Sequence, residues 1–174
     1  MRAVRFVPLA VLALLLAGLV WRLATPGDTT VGSKLQGQPV PAFALAAALR
    51  AKPGLSAADL AGGKPRLVNI FASWCVPCIG EVKVLQDLKA RSVAIDGIAV
   101  RDRVEDVADF LARNGDPYER IGSDPQSGVQ ISLGSSGVPE SFIVDGRGVI
   151  RYQHIGAIEP ADVPLILAKL EDAK

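Results

Sequence analysis

A run of apolar residues that leads into a pair of cysteines constrains the fold of this chain more than any other feature. Residues 66–72 contain neither Gly nor Pro and are rich in strand-forming side chains, as is typical of a central strand buried on both faces. Residues 74–78 then read Trp-Cys-Val-Pro-Cys, and apolar residues recur at helical spacing in Val82, Leu85 and Leu88. The two cysteines are therefore predicted to lie where a buried strand meets a helix.

A Cys-x-x-Cys pair in this position indicates a redox-active disulfide. Pro77 suits the first turn of a helix, where its missing N–H costs nothing. Cys75 then lies at the helix N-terminus, where unpaired N–H groups and the positive end of the helix dipole stabilise a thiolate. We expect the pKa of Cys75 to be lowered, so that Cys75 is the attacking sulfur. Cys78, one turn further, is expected to be more buried and to resolve the mixed disulfide.

A structural disulfide and a metal site are the other uses of such a pair. A structural bridge between Cys75 and Cys78 would close a loop of four residues, which stabilises by roughly 2 kcal/mol. A zinc site would need two more ligands, and covalent haem would need a His after Cys78, where Ile79 stands. The sequence therefore favours the redox use and predicts no metal.

The composition excludes several classes of protein. The 174 residues suit one domain of ordinary size with a tail. With 19 basic and 18 acidic residues and 5% aromatic residues, the chain lacks the basic and stacking surface of a nucleic-acid binder. Hydrophobic residues make up 49% of the chain, which excludes a disordered protein.

The first 24 residues differ in kind from the rest. They contain Arg2, Arg5 and Arg22 and no acidic residue, and residues 6–21 carry no charge. A spanning helix needs about 20 apolar residues, and Trp21 stands where an interfacial aromatic residue would. The basic residues before the run favour a cytoplasmic N-terminus.

We therefore predict a signal-anchor with one transmembrane helix over residues 1–24. A cleaved signal peptide is the alternative, but Arg22 stands two residues before Ala24, the best-placed small residue, and makes a poor cleavage site. Either kind of segment would export the rest of the chain. Residues 25–38 have the composition of a linker, and residues 39–174 form the predicted domain.

Strand and helix patterns alternate within this domain. After the cysteines the patterns predict a strand at 93–100, a helix at 104–114, a strand pair at 140–145 and 149–152, and a helix at 163–170. Strands that alternate with helices imply parallel pairs, and the tight turn adds an antiparallel pair. The predicted fold is α/β, with a mixed central sheet and helices on both faces.

Four segments together resemble a known family. They are residues 39–45, 67–75, 137–145 and 148–152, in the family's order over about residues 37–172. The chain is similar to thioredoxin-fold thiol–disulfide oxidoreductases, and more narrowly to the membrane-anchored thiol:disulfide interchange proteins of cytochrome c maturation (CcmG/DsbE type). The resemblance implies a thioredoxin-like fold.

The resemblance also implies roles around the cysteines. Pro139 would be the cis-proline that faces them, and the backbone of Val138 would pair with an extended substrate strand. Trp74 is expected to pack beside the cysteines and shield them.

Two acids are expected to tune the thiols. Glu81 follows Cys78 by three residues and Glu140 follows Pro139, and both match acidic positions of the family. Asn69 stands where general thioredoxins have a buried Asp, which leaves more of the proton transfer to the glutamates. We predict that His154 is a surface strand residue rather than a ligand or a base.

In such a family Cys75 attacks the haem-binding disulfide of apocytochrome c, or that of a dedicated thiol partner. A membrane thiol-disulfide transporter restores the dithiol, no organic cofactor is needed, and the domain lies on the periplasmic side of the bacterial inner membrane. A general exported reductase or oxidase with other clients remains an alternative. So does a non-catalytic metallochaperone on the same fold. A peroxidase is disfavoured, because its Thr and Pro motif is absent.

Overall fold

The computed structural model of the protein describes residues 7–24 and 35–174. The chain divides into two compact units, Met1–Val31 and Gly32–Lys174. Arg2, Arg5 and residues 25–34 of the predicted linker lie outside the described residues.

The described part of the first unit is a single helix, α1 (Val7–Ala24), in which Arg22 is in the last turn. Its 18 residues rise about 27 Å at the usual 1.5 Å per residue. Among the residues with assigned positions, no helix has both the length and the hydropathy needed to cross a membrane.

The second unit is an α/β structure, built from alternating strands and helices as predicted. Its elements, in chain order, are β1 (Ala44–Leu45), β2 (Leu55–Ser56), α2 (Ala57–Leu60), β3 (Arg66–Phe71), α3 (Val76–Ala90), β4 (Ile95–Val100), α4 (Val104–Asn114), β5 (Arg120–Asp124), α5 (Gly128–Ser132), β6 (Glu140–Val144), β7 (Ile150–Ile155) and α6 (Val163–Asp172).

The central sheet has five strands in the order β5-β4-β3-β6-β7. The β3–β4 and β4–β5 pairs are parallel, whereas β3–β6 and β6–β7 are antiparallel, so the predicted mixed sheet is confirmed. β3 is the central strand and is buried from Leu67 to Phe71. The apolar run before the cysteines therefore forms the centre of the core.

The register of β3 assigns its side chains to two faces. Asn69 pairs with Gly97 on β4 and with Ser141 on β6, whereas Ile70 pairs with Glu140. Because side chains alternate between faces along a strand, Asn69 and Glu140 point to opposite faces of the sheet.

α3 begins at Val76 with Cys75 as its N-cap, as the sequence predicts. Strand boundaries differ from the predictions: β4 begins at Ile95, and β7 continues past Tyr152 to Ile155, which pairs with Glu140 on β6. In addition, residues 35–38 form a turn in which the Gly37 N–H donates to the Ile150 carbonyl at 2.7 Å.

Candidate active site

The two cysteines form a disulfide at the start of α3. Cys75 is the N-cap residue, and its sulfur accepts a hydrogen bond from the Cys78 N–H at 3.2 Å. Cys75 is 5% exposed and Cys78 is 1% exposed, in the order that the sequence predicts. An incoming group can therefore approach the pair from the Cys75 side. A sulfur at a helix N-terminus with a backbone donor is suited to carry negative charge.

A loop that ends in a cis-proline borders an open groove that is also lined by Trp74, the residue before Cys75. The Val138–Pro139 peptide bond is cis, as predicted. The groove has a volume of about 390 Å³, and Trp74, Ile131 and Val138 are among its lining residues. Within the described part of the chain, neither the N–H nor the carbonyl of Val138 is hydrogen-bonded. Both groups are thus available to pair with an extended peptide.

Trp74 shields the cysteines less than predicted. The residue is 57% exposed and forms a wall of the groove. The reason is local: Trp74 lies in the turn between β3 and α3, so its side chain is not held under either element. Its exposed ring is an apolar contact surface for a bound chain.

Glu81 is buried against the sheet and is not a solvated helix residue. It is 2% exposed, its Oε1 accepts from the Asn69 Nδ2 at 2.9 Å, and its Oε2 accepts from the Ile158 N–H at 3.0 Å. Burial raises the pKa of Glu81 to about 7, against the opposing effect of the two hydrogen bonds. A carboxyl group with such a pKa can both take up and return a proton near neutral pH.

Glu140 is also buried, at 1% exposure, but in a separate network. Its carboxylate accepts from the N–H of Ser136 at 2.9 Å, from the Ser136 hydroxyl, and from the Gln153 Nε2 at 2.9 Å. Since Glu140 and Asn69 point to opposite faces of the sheet, the two glutamates approach the site from opposite faces. Glu140 holds the loop before Pro139, through Ser136.

Asn69 lies at the centre of a buried polar cluster that sequence reasoning found only in part. Its Nδ2 donates to Glu81 and to the Ser141 hydroxyl at 3.0 Å, and its Oδ1 accepts from the Tyr118 hydroxyl at 2.7 Å. Tyr118 and Ser141 were missed. Both lie far from residues 66–78 in sequence, Tyr118 in the loop before β5 and Ser141 on β6, and no local pattern marks them.

Asp102 is a second residue that sequence reasoning missed. Its carboxylate accepts from the Ser73 N–H at 2.7 Å and from the Ser73 hydroxyl at 2.6 Å, two residues before Cys75. Its position could have been predicted from the sequence, because Asp102 comes two residues after β4 and Ser73 comes two residues after β3. The carboxyl ends of two parallel neighbouring strands lie at the same edge of a sheet.

His154 is half-buried on β7, which is more buried than the surface position predicted for it. Its Nε2 lies 3.3 Å from the Ala157 carbonyl and 3.7 Å from the Asp162 carboxylate. Across the residues that the structure places, no three His, Cys, Asp or Glu side chains come together as a metal-binding group.

The chain matches known proteins along most of its length. The redoxin family model matches residues 35–170. The thiol:disulfide interchange protein DsbE of Escherichia coli is 35% identical, over 91% of this chain and 88% of the relative. HelX of Rhodobacter capsulatus, also a thiol:disulfide interchange protein, is 36% identical over 88% and 86% of the two chains.

Solved structures agree with the observed fold. A crystal structure from Chlorobium tepidum, whose chain is described as a candidate DsbE, superposes with a TM-score of 0.64 at 26% identity. The superposition covers 79% of this chain and 96% of the Chlorobium tepidum chain.

Proposed function

Because this chain belongs to the redoxin family and, within it, to the thiol:disulfide interchange proteins of the DsbE and HelX type, we propose that it reduces protein disulfides outside the cytoplasm. Its membership makes it a thiol-disulfide oxidoreductase. The observation that carries the proposal is the position of Cys75, at the N-cap of α3 and directly after Trp74, which lines a groove together with the free backbone groups of Val138.

The dithiol form of the chain is the proposed reductant. The Cys75 thiolate attacks one sulfur of the client disulfide, and the other client sulfur leaves as a thiolate and takes up a proton. The Cys78 thiol then loses its proton and attacks the Cys75 sulfur, which releases the second client thiol. Two electrons and two protons pass to the client, and the chain is left with the Cys75–Cys78 disulfide.

Glu81 is the proposed acceptor of the Cys78 proton. It lies one helical turn beyond Cys78 on α3, and its pKa near 7 suits transfer in both directions. Glu140 and Asp102 act on the loops that carry Pro139 and Cys75, respectively. The cysteine pair carries the electrons, so we propose that the chain needs no organic cofactor and no metal.

The proposed client is the haem-binding Cys-x-x-Cys-His segment of apocytochrome c in its disulfide form, or the thiol partner that hands it on. The support is the resemblance of residues 37–172 to proteins of cytochrome c maturation. The groove agrees with such a client, because an extended peptide can pair with Val138 while its side chains contact Trp74. A membrane thiol-disulfide transporter would return the chain to its dithiol form.

We also propose that residues 1–24 anchor the chain in the bacterial inner membrane with the second unit in the periplasm. The support is the uncharged run at 6–21 and the flanking Arg2, Arg5 and Arg22. Extraction of membranes with alkaline carbonate tests this proposal. The full chain should stay in the pellet, and a chain without residues 1–24 should not be found there. Release of the full chain into the supernatant would contradict it.

The direction of electron flow is tested by trapping thiols in intact cells with an alkylating agent and separating the products by gel shift. We expect Cys75 and Cys78 to be mostly reduced, although their compartment is oxidising, because a dedicated donor keeps them so. Mostly oxidised cysteines would overturn the reductant proposal and favour an oxidase or a structural bridge.

The client is tested with purified, reduced protein and two peptides that each contain one disulfide. One peptide carries the Cys-x-x-Cys-His sequence, and the other carries an unrelated sequence with the same spacing of cysteines. Faster reduction of the first peptide is expected. Equal rates would favour a general exported reductase, and copper or zinc binding without reduction of either peptide would favour a metallochaperone.

A further inference from the structure

Tyr118 lies in the loop before β5, outside every element that carries the cysteines, yet it reaches the centre of the site. The residue is 1% exposed, and its hydroxyl donates to the Asn69 Oδ1 at 2.7 Å. Asn69 in turn donates to Glu81. Tyr118 is therefore two hydrogen bonds away from the proposed proton acceptor.

Packing against β3 and β4 fixes the position of the Tyr118 ring. Its ring stacks on Phe71 with centroids 4.8 Å apart and planes 15° apart. Both rings border Gly97, the partner of Asn69 on β4. A Cβ at Gly97 would be only 3.1 Å from the Tyr118 Cδ1 and 2.9 Å from the Phe71 Cε1. The missing side chain at Gly97 thus leaves the space that the tyrosine ring occupies.

The oxygen and the nitrogen of the Asn69 side-chain amide have different hydrogen-bonding roles. The oxygen only accepts hydrogen bonds and the nitrogen only donates them. Because the Tyr118 hydroxyl donates to the oxygen, the nitrogen is turned toward Glu81 and Ser141. The second Glu81 oxygen receives the Ile158 N–H. Both oxygens of Glu81 therefore face N–H donors, an arrangement that suits the ionised carboxylate.

A protonated Glu81 carries an O–H group and needs an acceptor. Rotation of the Asn69 amide by a half-turn would supply its oxygen to Glu81. The same rotation would turn the amide nitrogen toward Tyr118 and take away the acceptor of the tyrosine O–H. A buried hydroxyl without an acceptor is costly, so Tyr118 opposes the rotation.

We propose that Tyr118 is a positioning residue that keeps the amide nitrogen of Asn69 turned toward Glu81 and so keeps Glu81 a proton acceptor. Its relevance to disulfide exchange rests on the proposed function, whereas the orientation itself does not. Tyr118 touches neither cysteine in this role and acts through Asn69 alone.

Other titratable groups lie on the elements packed around Glu81. They include the N-cap Cys75, Cys78, Lys83, Asp87 and Lys89 on α3, Asp116 beside Tyr118, Glu140 on β6, Tyr152 and His154 on β7, and Glu159 and Asp162 before α6. Work on the oxidised chain removes the two thiols from the titration, because disulfide sulfurs carry no proton. His154 is on the strand next to Ser141, so its own titration must be recorded in parallel.

The test is a carbon NMR titration of the Glu81 carboxyl group in the oxidised full chain, with Tyr118→Phe compared with the wild type. We expect the titration midpoint of Glu81 to rise by half a pH unit or more, roughly threefold or more in proton affinity. The acidic limb of the pH profile for reduction of a small disulfide should move the same way. Tyr152→Phe on β7 is the matched control and should leave the midpoint in place.

A midpoint that is unchanged or lowered in folded Tyr118→Phe would overturn the proposal. If Tyr118→Phe does not fold, nuclear Overhauser contacts in the wild-type protein measure the orientation of the Asn69 amide instead. Amide protons of Asn69 close to the Glu81 methylene protons support the orientation, and amide protons close to the Tyr118 ring overturn it. If the midpoint shifts but neither protein reduces a peptide disulfide, the proposed function fails while the positioning role stands.

Discussion

At the residue scale, the chemistry depends on the unequal surroundings of two identical side chains. Cys75 and Cys78 are joined by three peptide units, yet Cys75 caps α3 and Cys78 lies inside its first turn. The Cys78 N–H that bonds the Cys75 sulfur is one that the helix itself leaves unpaired. The helix end thus supplies the Cys75 sulfur with a backbone donor.

The first prediction concerns the order of attack. Replacing Cys78 with Ala leaves the mixed disulfide with no resolving thiol, so the chain should remain covalently joined to its client. Non-reducing gels of cells expressing Cys78→Ala should show a client adduct that disappears on adding a reductant. Cys75→Ala is the matched control and should give no adduct. Equal adducts from both variants would contradict the assignment of the attacking sulfur.

The second prediction concerns the stability contributed by Glu81. The folded chain keeps the Glu81 proton up to a pKa of about 7, whereas the unfolded chain loses it near the ordinary value of 4.5. The free energy of unfolding of the oxidised protein should therefore fall as the pH rises from about 4.5 to about 7. The largest fall for such a shift is about 3 kcal/mol.

Urea unfolding at pH 5 and pH 8, with Glu81→Gln as the reference, measures this effect. The stability of the wild type relative to the variant should decrease between the two pH values, because Gln carries no titrating proton. Parallel changes in the two proteins would show that the Glu81 pKa is not raised in the folded state.

At the scale of elements, the turn between β6 and β7 depends on one carboxylate. Asp145 accepts from the Arg147 N–H at 2.9 Å, from the Val149 N–H at 3.0 Å, and from the Arg151 guanidinium at 2.6 Å and 2.8 Å. Burial raises the pKa of Asp145, but these hydrogen bonds outweigh it and hold the pKa at about 2. The turn is thereby held in the register that brings β7 beside β6.

The third prediction is that Asp145→Ala destabilises the fold by about 1–3 kcal/mol, because it leaves four partly buried hydrogen bonds of the turn unmade, two of them to a guanidinium. The Arg147→Ala variant is the control, since that guanidinium is 79% exposed and 3.5 Å from Asp145. It should change the free energy of unfolding by less than about 0.5 kcal/mol. In the wild type, the contribution of Asp145 is present above about pH 4 and is lost as the pH falls toward 2. Equal losses in the two variants would count against this account.

A carboxylate that follows β4, that of Asp102, holds the loop between β3 and α3. Asp102 accepts both hydrogen bonds from Ser73 and so limits the motion of the turn that carries Trp74 and Cys75. The fourth prediction is that Asp102→Ala speeds amide hydrogen exchange at Ser73 and slows disulfide exchange several-fold. Asp106→Ala, an exposed acid on α4, is the control for the lost charge. Unchanged exchange at Ser73 would contradict a positioning role for Asp102.

At the scale of the whole molecule, the division at Val31 and Gly32 separates the N-terminal unit from the catalytic one. The catalytic unit has its own buried core, with Leu67, Ile70 and Phe71 among its fully buried side chains. A unit with a core of its own is expected to fold by itself.

The fifth prediction is that a chain beginning at Gly32 folds cooperatively and reduces small disulfides at the rate of the full chain. Thermal unfolding and exchange kinetics of the purified fragment measure the two properties. The full-length chain in detergent is the reference. A fragment that unfolds below about 30 °C, well under the usual range for a domain, or that loses most of its rate would show that the N-terminal unit contributes to the fold.

Much of this molecule could be predicted because the signals are local. Each of three features is encoded by a short segment with a periodic or turn pattern: the β3 strand, the cysteine pair at the start of α3, and the β6–β7 pair. The cis bond before Pro139 and the mixed sheet were also predicted, from the resemblance and from strand order. Asp102 could also have been predicted, because the parallel direction of β3 and β4 implies that its side chain lies near Ser73.

What the amino-acid sequence determines by itself is therefore the core of the site: two cysteines after a buried strand, and the helix end at which the first of them lies. Only the tertiary structure decides the surroundings of Glu81 and Glu140. The sequence predicts them as acids that tune the thiols, but it does not predict that long-range packing buries them on opposite faces of the sheet. The reason is physical. The hydrogen bonds from Tyr118 to Asn69 and from Ile158 to Glu81 join residues 49 and 77 positions apart, and no local pattern encodes contacts of that range.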